Sequence, residues 1–397
     1  MPVQTLSLTH FRSYERLDIE LAGGPHVVIG RNAAGKSNLV ESLVLLSSGR
    51  SYRGGADTEM VRWGGDFARV GAVIEAYGRL EDLEVVIFAL APGGGARKRI
   101  RVNGVNRRAS ALAPVLRTVL FAPEDMLLII GSPALRRSLL DDLVAQREVT
   151  ASAVLSTYAR TLTQRNSLLK RIREEAASRT ELAYWDGVLC ESGGRILDWR
   201  HAALAALAEP LAAAHREIAP DEPSLSLHYV SNVIPRDAED RSEALRRRLH
   251  ETADKEIWNG STLVGPHRDD LAFEAAGRDY TRFASRGQQR TAILALKLAE
   301  LEVLGQLDGR PPLLLLDDVF SELDPVRRAH LVRRIGSLPQ AVVTTTTADD
   351  LDPALLAASS LWQVEPGTAR PVLRPAAAHA SGTASTDQPA DDPGPGS

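Results

Sequence analysis

The segment Gly30–Ser37 constrains this chain more than any other feature of its sequence. It reads Gly30-Arg31-Asn32-Ala33-Ala34-Gly35-Lys36-Ser37 and fits the phosphate-loop pattern G-x-x-x-x-G-K-[ST]. A short apolar run, 27–29, precedes the loop, and an apolar stretch, 39–46, follows it. The chain is therefore expected to pass from a buried strand, through a tight turn, into a helix whose amino end faces an anion.

The chemistry of the loop predicts ATP and Mg²⁺ as cofactors. Its glycines permit a tight turn in which backbone N–H groups face the phosphates. Lys36 is expected to reach the β and γ phosphates as a catalytic group, and the Ser37 hydroxyl to coordinate Mg²⁺. A glycine-containing turn that matches the pattern by chance is the alternative, and the flanking strand and helix argue against it. The predicted nucleotide-binding residues here are Gly30, Arg31, Asn32, Ala33, Ala34, Gly35, Lys36, Ser37 and Asn38.

A second apolar strand, 312–316, ends in two carboxylates, Asp317 and Asp318. The tip of such a strand places a carboxylate beside the Mg²⁺ of phosphate-loop enzymes, so Asp317 is predicted to be a metal ligand together with Ser37 and part of the catalytic set. Asp318 would face the γ-phosphate and orient the attacking water. The alternative is a strand that ends in an ordinary turn, where aspartate is common.

Two further motifs complete an ordered set along the chain. The segment 285–288 (SRGQ) comes just before a predicted helix, and 321–324 (SELD) follows the two carboxylates. Taken alone, Ser285 is better explained as the N-cap of that helix. The order of all the motifs resembles that of ABC-type ATPases, in which the signature motif of one subunit contacts ATP held by another. The resemblance assigns this contact to Ser285, Gly287 and Gln288, and makes Asp324 the D-loop aspartate.

Within that class, the chain resembles the RecF family over about residues 3–370. About 250 residues separate the phosphate loop from the signature, and a helical segment lies between them. The stretches that carry the resemblance are 10–14 (HFRSY), 29–43, 121–125 (FAPED) with the following GSPALRRSLLDD, 162–166 (LTQRN), 264–270 (VGPHRDD), 285–291 and 314–324 (LLLDDVFSELD).

The predicted fold is α/β: an ABC-type P-loop ATPase head with an inserted, mostly helical arm domain. The first part of the head, 1–125, is rich in strand patterns, and 126–254 carries the arm. The second part of the head, 255–374, contains the signature, the paired carboxylates and the D-loop. The remainder, 375–397, is composed of Ala, Pro, Ser, Gly and Asp and is expected to be disordered.

Two long amphipathic helices are predicted in the arm. Apolar residues recur at helical spacing on either side of a polar turn near 176–180. Each helix would be about 30–45 Å long at about 1.5 Å per residue. The basic residues of the first helix are interpreted as a solvated face, and they are Arg165, Lys170, Arg171 and Arg173.

A basic hairpin, 97–108, is the candidate DNA-binding element. Asn103-Gly104 predicts its turn, and six basic residues flank that turn without an acid. Phosphate contacts without sequence readout are one interpretation, and a charged edge that resists aggregation is an equal one. The net charge of −4 argues weakly against DNA as a partner. The candidate residues are Arg97, Lys98, Arg99, Arg101, Arg107 and Arg108.

The RecF resemblance implies a role in DNA replication, recombinational repair and the SOS response. It implies an ATP-dependent homodimer that binds double-stranded DNA at gaps and single-strand junctions and helps RecA to load, together with RecR and RecO. Hydrolysis would be that of a weak, DNA-dependent ATPase that acts as a switch. Subunits of transporter-type or chromosome-structuring (SMC-type) ABC ATPases remain the alternatives.

Several features restrict the location and the chemistry. The chain has no apolar run long enough for a membrane span and no apolar leader, so it is expected in the cytoplasm without a membrane partner. A single cysteine, Cys190, excludes an intramolecular disulfide, and the histidines lack zinc-ligand spacing.

The motifs also depart from the pattern of the ABC class. Ala33 stands where glycine is common, which is compatible with the loop if its φ is negative. Asp318 is one methylene shorter than the usual glutamate, so slow hydrolysis is expected. The switch position is occupied by Thr346 or Thr347, and no convincing Q-loop glutamine is found.

Overall fold

The computed structural model describes residues 2–89, 96–364 and 373–375, and these residues form three sheets and a set of helices. In chain order the strands are β1 (Val3–Phe11), β2 (Tyr14–Glu20), β3 (Gly24–Gly30), β4 (Phe67–Ala76), β5 (Arg79–Ala89), β6 (Ala96–Val102), β7 (Val105–Arg107), β8 (Thr118–Phe121), β9 (Leu225–Val230), β10 (Asp270–Ala275), β11 (Arg278–Asp279), β12 (Leu313–Asp317), β13 (Gln340–Thr345), β14 (Ser360–Val364) and β15 (Leu373–Pro375). The α-helices are α1 (Lys36–Ser48), α2 (Leu127–Ile130), α3 (Pro133–Arg147), α4 (Ala151–Arg173), α5 (Leu182–Ile218), α6 (Arg241–Asn259), α7 (Tyr280–Phe283), α8 (Arg286–Gln306), α9 (Pro325–Gly336) and α10 (Pro353–Ala358).

A largely parallel sheet joins the two ends of the chain. Its order is β15-β14-β3-β13-β12-β8, and only the β14–β15 pair is antiparallel. The strand β3, which leads into the phosphate loop, lies between β13 and β14 from the last third of the sequence. The predicted α/β fold is confirmed, and the apolar strand predicted at 312–316 corresponds to β12. Of the predicted tail, 375–397, only Pro375 lies within the described residues.

The parallel sheet is buried on both faces because its strands alternate between two cores. Leu313 and Leu315 pack with α1 and the antiparallel sheet, whereas Leu314 and Leu316 pack with α5 and α8. The helix that follows the phosphate loop and the helix that follows the signature motif therefore lie on opposite faces of the strand that carries Asp317.

The antiparallel sheet has the order β2-β1-β4-β5-β6-β7. The turn between β6 and β7 contains Asn103 and Gly104, with φ values of 52° and 73°. Two successive positive φ values are those of a type I′ turn, which matches the twist of the flanking strands. The predicted hairpin is confirmed.

Three long helices, α4, α5 and α6, pack against one another in and just beyond the predicted arm, 126–254. α4 and α5 are joined through 174–181, as the sequence predicts. α5 has 37 residues, so it is roughly 55 Å long and exceeds the predicted 30–45 Å. It continues through Pro210, and its inner half contributes Ala203, Leu207 and Leu211 to the core around α8.

Close helix contact explains a glycine pair that would otherwise weaken α5. A Cβ on Gly194 would lie 2.8 Å from the backbone nitrogen of Ser242 at the start of α6. A Cβ on Gly193 would lie 2.6 Å from the side chain of Leu245. The two glycines thus allow α6 to lie directly against α5.

Buried polar contacts join the loop 261–269 to α4 and α5. Arg200 forms an ion pair with Asp141 at 2.8 Å and donates to the carbonyl of Pro266. The Nδ1 atom of His267 lies 2.7 Å from the Tyr158 hydroxyl. Burial lowers the pKa of His267 to about 4, so the ring is neutral near pH 7.

The prediction of a solvated basic face on the first arm helix is wrong for Arg165. Its side chain is 1% exposed and forms ion pairs with Asp186 at 2.6 Å and with the fully buried Glu256 at 2.7 Å. The partners are distant in sequence, so helical spacing alone did not reveal them. Lys170, Arg171 and Arg173 are exposed, as predicted.

The substitution Arg165→Ala is expected to destabilise the chain by about 3–5 kcal/mol, because it leaves the Glu256 carboxylate buried without its cation. Urea unfolding followed by circular dichroism measures this change. Lys170→Ala is the control on the same helix, with an expected change within about 0.5 kcal/mol. Equal stability of the two variants would contradict a structural role for Arg165.

Candidate nucleotide-binding site

Two glycines in the phosphate loop are required by their surroundings. A Cβ on Gly30 would lie 2.9 Å from the carbonyl oxygen of Val364 on the adjacent strand. Gly35 has a φ of 110°, and a Cβ there would lie 3.0 Å from Ser13 Oγ. The Tyr14 hydroxyl donates a hydrogen bond to the Gly35 carbonyl at 3.0 Å. Ser13 and Tyr14 of the N-terminal segment HFRSY therefore pack against the phosphate loop at Gly35.

Ala33 adopts a φ of 64°, so the condition of a negative φ is not met. The left-handed region is unfavourable for alanine because its Cβ approaches the following carbonyl. Ala33 adopts this conformation within the turn that leads from β3 into α1. Ala33 is exposed, as are Arg31 and Asn32 before it.

Lys36 lies at the inner rim of the loop. Its Nζ atom donates to the carbonyls of Gly30 at 2.7 Å and Arg31 at 3.2 Å. Burial lowers the pKa of this amine, and the nearby Asp318 and Asp317 oppose that shift. The amine is thus positioned at the phosphate loop and beside the two carboxylates.

Ser37 and Asn38 lie in the first turn of the helix α1, which begins at Lys36. The Asn38 amide donates to Ser13 Oγ at 2.8 Å, and its Oδ1 atom accepts from Arg53 at 3.0 Å. Asn38 therefore has a bracing role as well as a place beside the predicted nucleotide. The Ser37 side chain is half-buried.

Asp317 is held at the carboxyl end of β12 by two hydroxyl groups. Thr344 on β13 donates to its Oδ1 atom at 2.7 Å, and Tyr52 donates to its Oδ2 atom at 2.8 Å. Sequence analysis missed both partners. Tyr52 follows α1 closely in sequence, but no motif links it to a carboxylate 265 residues further on.

Asp318 points its carboxylate into the same region. Its backbone has a φ of 55°, and its N–H donates to the Thr344 carbonyl and hydroxyl. Burial raises the pKa of Asp318, while Lys36 acts in the opposite direction. Its Oδ1 atom is buried and lacks a hydrogen-bond partner among the described residues. A free acceptor beside Lys36 suits a group that orients water.

The signature residues form a capping box at the start of α8. Ser285 Oγ accepts from the Gln288 N–H at 3.2 Å, and Gln288 Oε1 accepts from the Ser285 N–H at 2.9 Å. The N-cap interpretation is therefore correct as local structure, and it leaves the helix N-terminus facing outward. A Cβ on Gly287 would meet no atom closer than 3.8 Å, so internal packing does not require glycine there.

Two arginines tie the D-loop to the signature helix. Arg290 on α8 pairs with Glu322 at 2.5 Å, and Arg327 Nε donates to Thr291 Oγ1 at 2.8 Å. Arg327 also pairs with Asp324, whose side chain caps α9. Side-chain contacts thus join the D-loop to the signature helix within one chain. Within the described residues, no hydrogen bond or ion pair joins 284–288 to 30–38.

The basic hairpin divides into three groups. Arg97, Arg99 and Arg101 alternate along β6 onto one face of the sheet. Lys98 lies on the other face and is engaged by Asp57 at 2.8 Å and by the carbonyl of Gly49 at 2.6 Å, so its contacts are internal. Arg107 and Arg108 are exposed at the sheet edge.

The fold and this arrangement of motifs define an ABC-type ATPase head. The RecF/RecN/SMC N-terminal domain family matches residues 2–366 of the chain. A crystal structure of an Smc head bound to the C-terminal winged-helix domain of ScpA shares the fold, with a TM-score of 0.51 at 15% identity over 94% of this chain and 97% of that one.

Within that class, the chain belongs to the RecF family. The DNA replication and repair protein RecF of Heliobacterium modesticaldum is 40% identical over 370 residues, which cover 92% of this chain and 98% of that protein. The RecF of Bacillus velezensis is 36% identical and covers 93% and 99%. The recombination mediator protein RecF of the RecFOR pathway, solved as RecF-ATPrS, superposes with a TM-score of 0.84 at 31% identity, over 95% of this chain and 98% of that one. The predicted RecF resemblance is confirmed.

In the part of the chain that the structure describes, no helix combines the length and the apolar character needed to cross a membrane.

Proposed function

We propose that this chain is an ATP-dependent DNA-binding protein of recombinational repair, and that ATP closes two copies of it into a dimer. The division of the motifs into two surfaces is the observation that carries the proposal. One surface is the phosphate loop, which contains Lys36 and Ser37 and has Asp317 beside it. The other surface carries Ser285 and Gly287, which face outward. A second copy is the partner that brings the two half-sites together. Relatives solved as RecF-ATP and RecF-ATPrS support ATP as the ligand.

The residues at the phosphate loop fit ATP and Mg²⁺. The loop amides, the start of α1 and the Lys36 amine offer donors to phosphate oxygens. Ser37 and Asp317 would hold the Mg²⁺, which when bound neutralises charge on the phosphates. Among the described residues no cluster of three or more acidic, histidine or cysteine side chains forms a metal site. One carboxylate and one hydroxyl suit Mg²⁺, which takes its other ligands from phosphate and water.

Because the contacts to ATP are divided between two chains, ATP binding is thermodynamically linked to dimerisation. One chain supplies Lys36 and Ser37, and the second supplies the N-terminus of α8 with Ser285 and Gly287. A ligand with contacts available only in the dimer binds the dimer more tightly and shifts the equilibrium towards it. Since Arg290 and Arg327 fasten the D-loop to α8, Asp324 would approach the partner together with the signature.

Asp318 is proposed to orient the attacking water and to make the chain a slow ATPase. Its raised pKa and free Oδ1 atom support a role as acceptor for a water proton. The aspartate side chain is one methylene shorter than the glutamate usual in the class, which supports slow turnover. Loss of the γ-phosphate removes the contacts to Ser285 and Gly287, and the dimer then opens.

The biological role is proposed from family membership. The dimer would bind duplex DNA at gaps and at junctions with single strands. RecR and RecO would act with it to load RecA, in DNA replication, repair and the SOS response, and the site of action would be the cytoplasm. The relatives named DNA replication and repair protein RecF, and the RecFOR pathway of the solved relatives, support this assignment.

ATP with Mg²⁺ is expected to strengthen binding of the chain to gapped duplex, because only the closed dimer presents two DNA-binding surfaces at once. Raising the salt concentration should weaken binding, since phosphate contacts release counterions. Fluorescence anisotropy with labelled gapped duplex measures both effects, and ADP is the control nucleotide. Equal affinity with ATP, with ADP and without nucleotide would refute the coupling.

A further inference from the structure

The outer face of the antiparallel sheet carries a row of arginines that the sequence does not reveal. The strand register places Arg16, Thr9, Arg69, Val86 and Arg99 opposite one another on β2, β1, β4, β5 and β6. Neighbouring strands are about 4.8 Å apart, so successive arginines of the row are separated by about 10 Å and the row spans about 19 Å. The opposite face of the same strands forms the core with α1.

A column of arginines crosses this row at Arg99. Arg97, Arg99 and Arg101 alternate with inward residues along β6 and are therefore about 7 Å apart. Among the described residues, no carboxylate forms an ion pair with Arg97 or Arg99. The Arg99 guanidinium lies 5.3 Å from the centre of the Phe88 ring, and its buried Nε–H has no hydrogen-bond acceptor in the described chain.

Two carboxylates on the same rows neutralise only part of the positive charge of these five arginines. Asp18 pairs with Arg16 at 2.7 Å, and Glu84 is shared between Arg69 at 2.7 Å and Arg101 at 3.4 Å. The Arg16 and Arg69 side chains remain 78% and 52% exposed, and such exposed ion pairs contribute little stability. Across the rows that carry the five arginines, positive charge therefore exceeds negative charge, whereas Glu20, Asp82 and Glu75 lie on the rows beyond Asp18 and Glu84 on the same face. An incoming anion can use the excess at the arginine end of the face.

Small residues lie between the arginines in the middle of the face. Ser7 and Thr9 lie there on β1 and Gly71 on the neighbouring β4, and a Cβ on Gly71 would lie 2.9 Å from Ser7 Oγ. The surface is therefore low on β1, where Thr9 lies between Arg16 on β2 and Arg69 on β4. A shallow strip bordered by guanidinium groups suits an extended polyanion better than a compact ligand.

We propose that this arginine face, defined by Arg16, Arg69, Arg97, Arg99 and Arg101, contacts the phosphates of duplex DNA. The proposal rests on the DNA-binding function proposed above and locates it on the sheet face rather than on the hairpin alone. Duplex DNA carries one charge per about 1.7 Å of its axis, so the row of about 19 Å matches roughly half a helical turn of about 34 Å. Guanidinium forks bind phosphate oxygens without reading bases, so the contact is independent of sequence.

The test compares two double variants of the full chain with ATP, Mg²⁺ and gapped duplex. R16Q/R69Q removes two charges from the face, and affinity is expected to fall on the order of tenfold at physiological salt. The slope of log affinity against log salt should become less negative by about two per chain. R216Q/R236Q is the matched control. Both of its arginines are exposed and paired with a glutamate, and both lie away from the antiparallel sheet.

The outcomes separate this proposal from the function on which it rests. If the unaltered chain binds no DNA with ATP, both are refuted. If it binds and R16Q/R69Q retains its affinity and its salt slope, the arginine face is excluded and the DNA-binding function stands. Thermal unfolding and ATP-induced dimer mass check that the variant is intact. If R16Q/R69Q misfolds, Arg97→Gln provides the same comparison, since its side chain is exposed and has no carboxylate partner in the described chain.

Discussion

The variant Lys36→Ala is expected to stay monomeric at ATP concentrations that convert the unaltered chain into a dimer. The Lys36 amine lies on the phosphate loop and beside both carboxylates. Hydrogen bonds to charged groups contribute roughly 1.5–3 kcal/mol each, so loss of the contacts to two phosphates should weaken ATP binding by about 100-fold or more. Light scattering with and without ATP and Mg²⁺ measures the mass directly.

Lys170→Ala is the control for that measurement, because Lys170 is an exposed lysine on the arm. It should dimerise with ATP as the unaltered chain does. Thermal unfolding shows whether the Lys36 variant retains its fold, since the amine also holds the carbonyls of Gly30 and Arg31. An undiminished dimer mass for a folded Lys36→Ala chain would exclude the phosphate loop as the source of dimerisation.

The substitution Ser285→Arg is expected to separate ATP binding from dimerisation. Ser285 is exposed at the N-terminus of α8 and makes no contact with the phosphate loop of its own chain in the described residues. A long cation there obstructs the approach of a second copy but leaves Lys36 and Ser37 untouched. Nucleotide titration of the monomer should give unchanged affinity, whereas light scattering should show no dimer and turnover should be lost.

Mixing the two variants provides a sharper form of this prediction. A heterodimer of Lys36→Ala and Ser285→Arg chains contains one site with an intact phosphate loop and an intact signature, and one site with both defects. Turnover should therefore reappear on mixing, at most at half the level of the unaltered dimer. Normal turnover by Ser285→Arg alone would show that the signature does not act on a partner's nucleotide.

Contiguous motifs were predictable because the conformation of a phosphate loop depends mainly on residues that are close together in sequence. Gly30 and Gly35 are required by backbone conformation and close approach within a short segment, and the Asn103-Gly104 turn follows from the φ values that those residues tolerate. Ser285 was likewise correct as an N-cap, because capping involves only the next three residues.

Contacts between distant parts of the sequence were not predictable in this way. Arg165 looked like a surface residue, but Asp186 and Glu256 approach it from two other helices. Tyr52 and Thr344 reach Asp317 only once β12, β13 and α1 are assembled. The arginine row depends on the register of five strands, so neither Arg16 nor Arg69 stands out along the chain.

The local backbone also differed from its prediction at one point in the site. Ala33 takes a positive φ because the surrounding turn from β3 to α1 fixes the path of the chain. Composition and spacing report which residue is present, but they do not report the dihedral angle that the fold imposes on it.

The most direct test of the account is the mass of the purified chain, measured by light scattering as ATP with Mg²⁺ is titrated in the presence and absence of gapped duplex. We expect a change from monomer to dimer that depends on ATP and occurs at lower ATP concentration when the duplex is present, because the two ligands favour the same closed pair. A chain that keeps its monomer mass with both ligands at saturation would contradict the account.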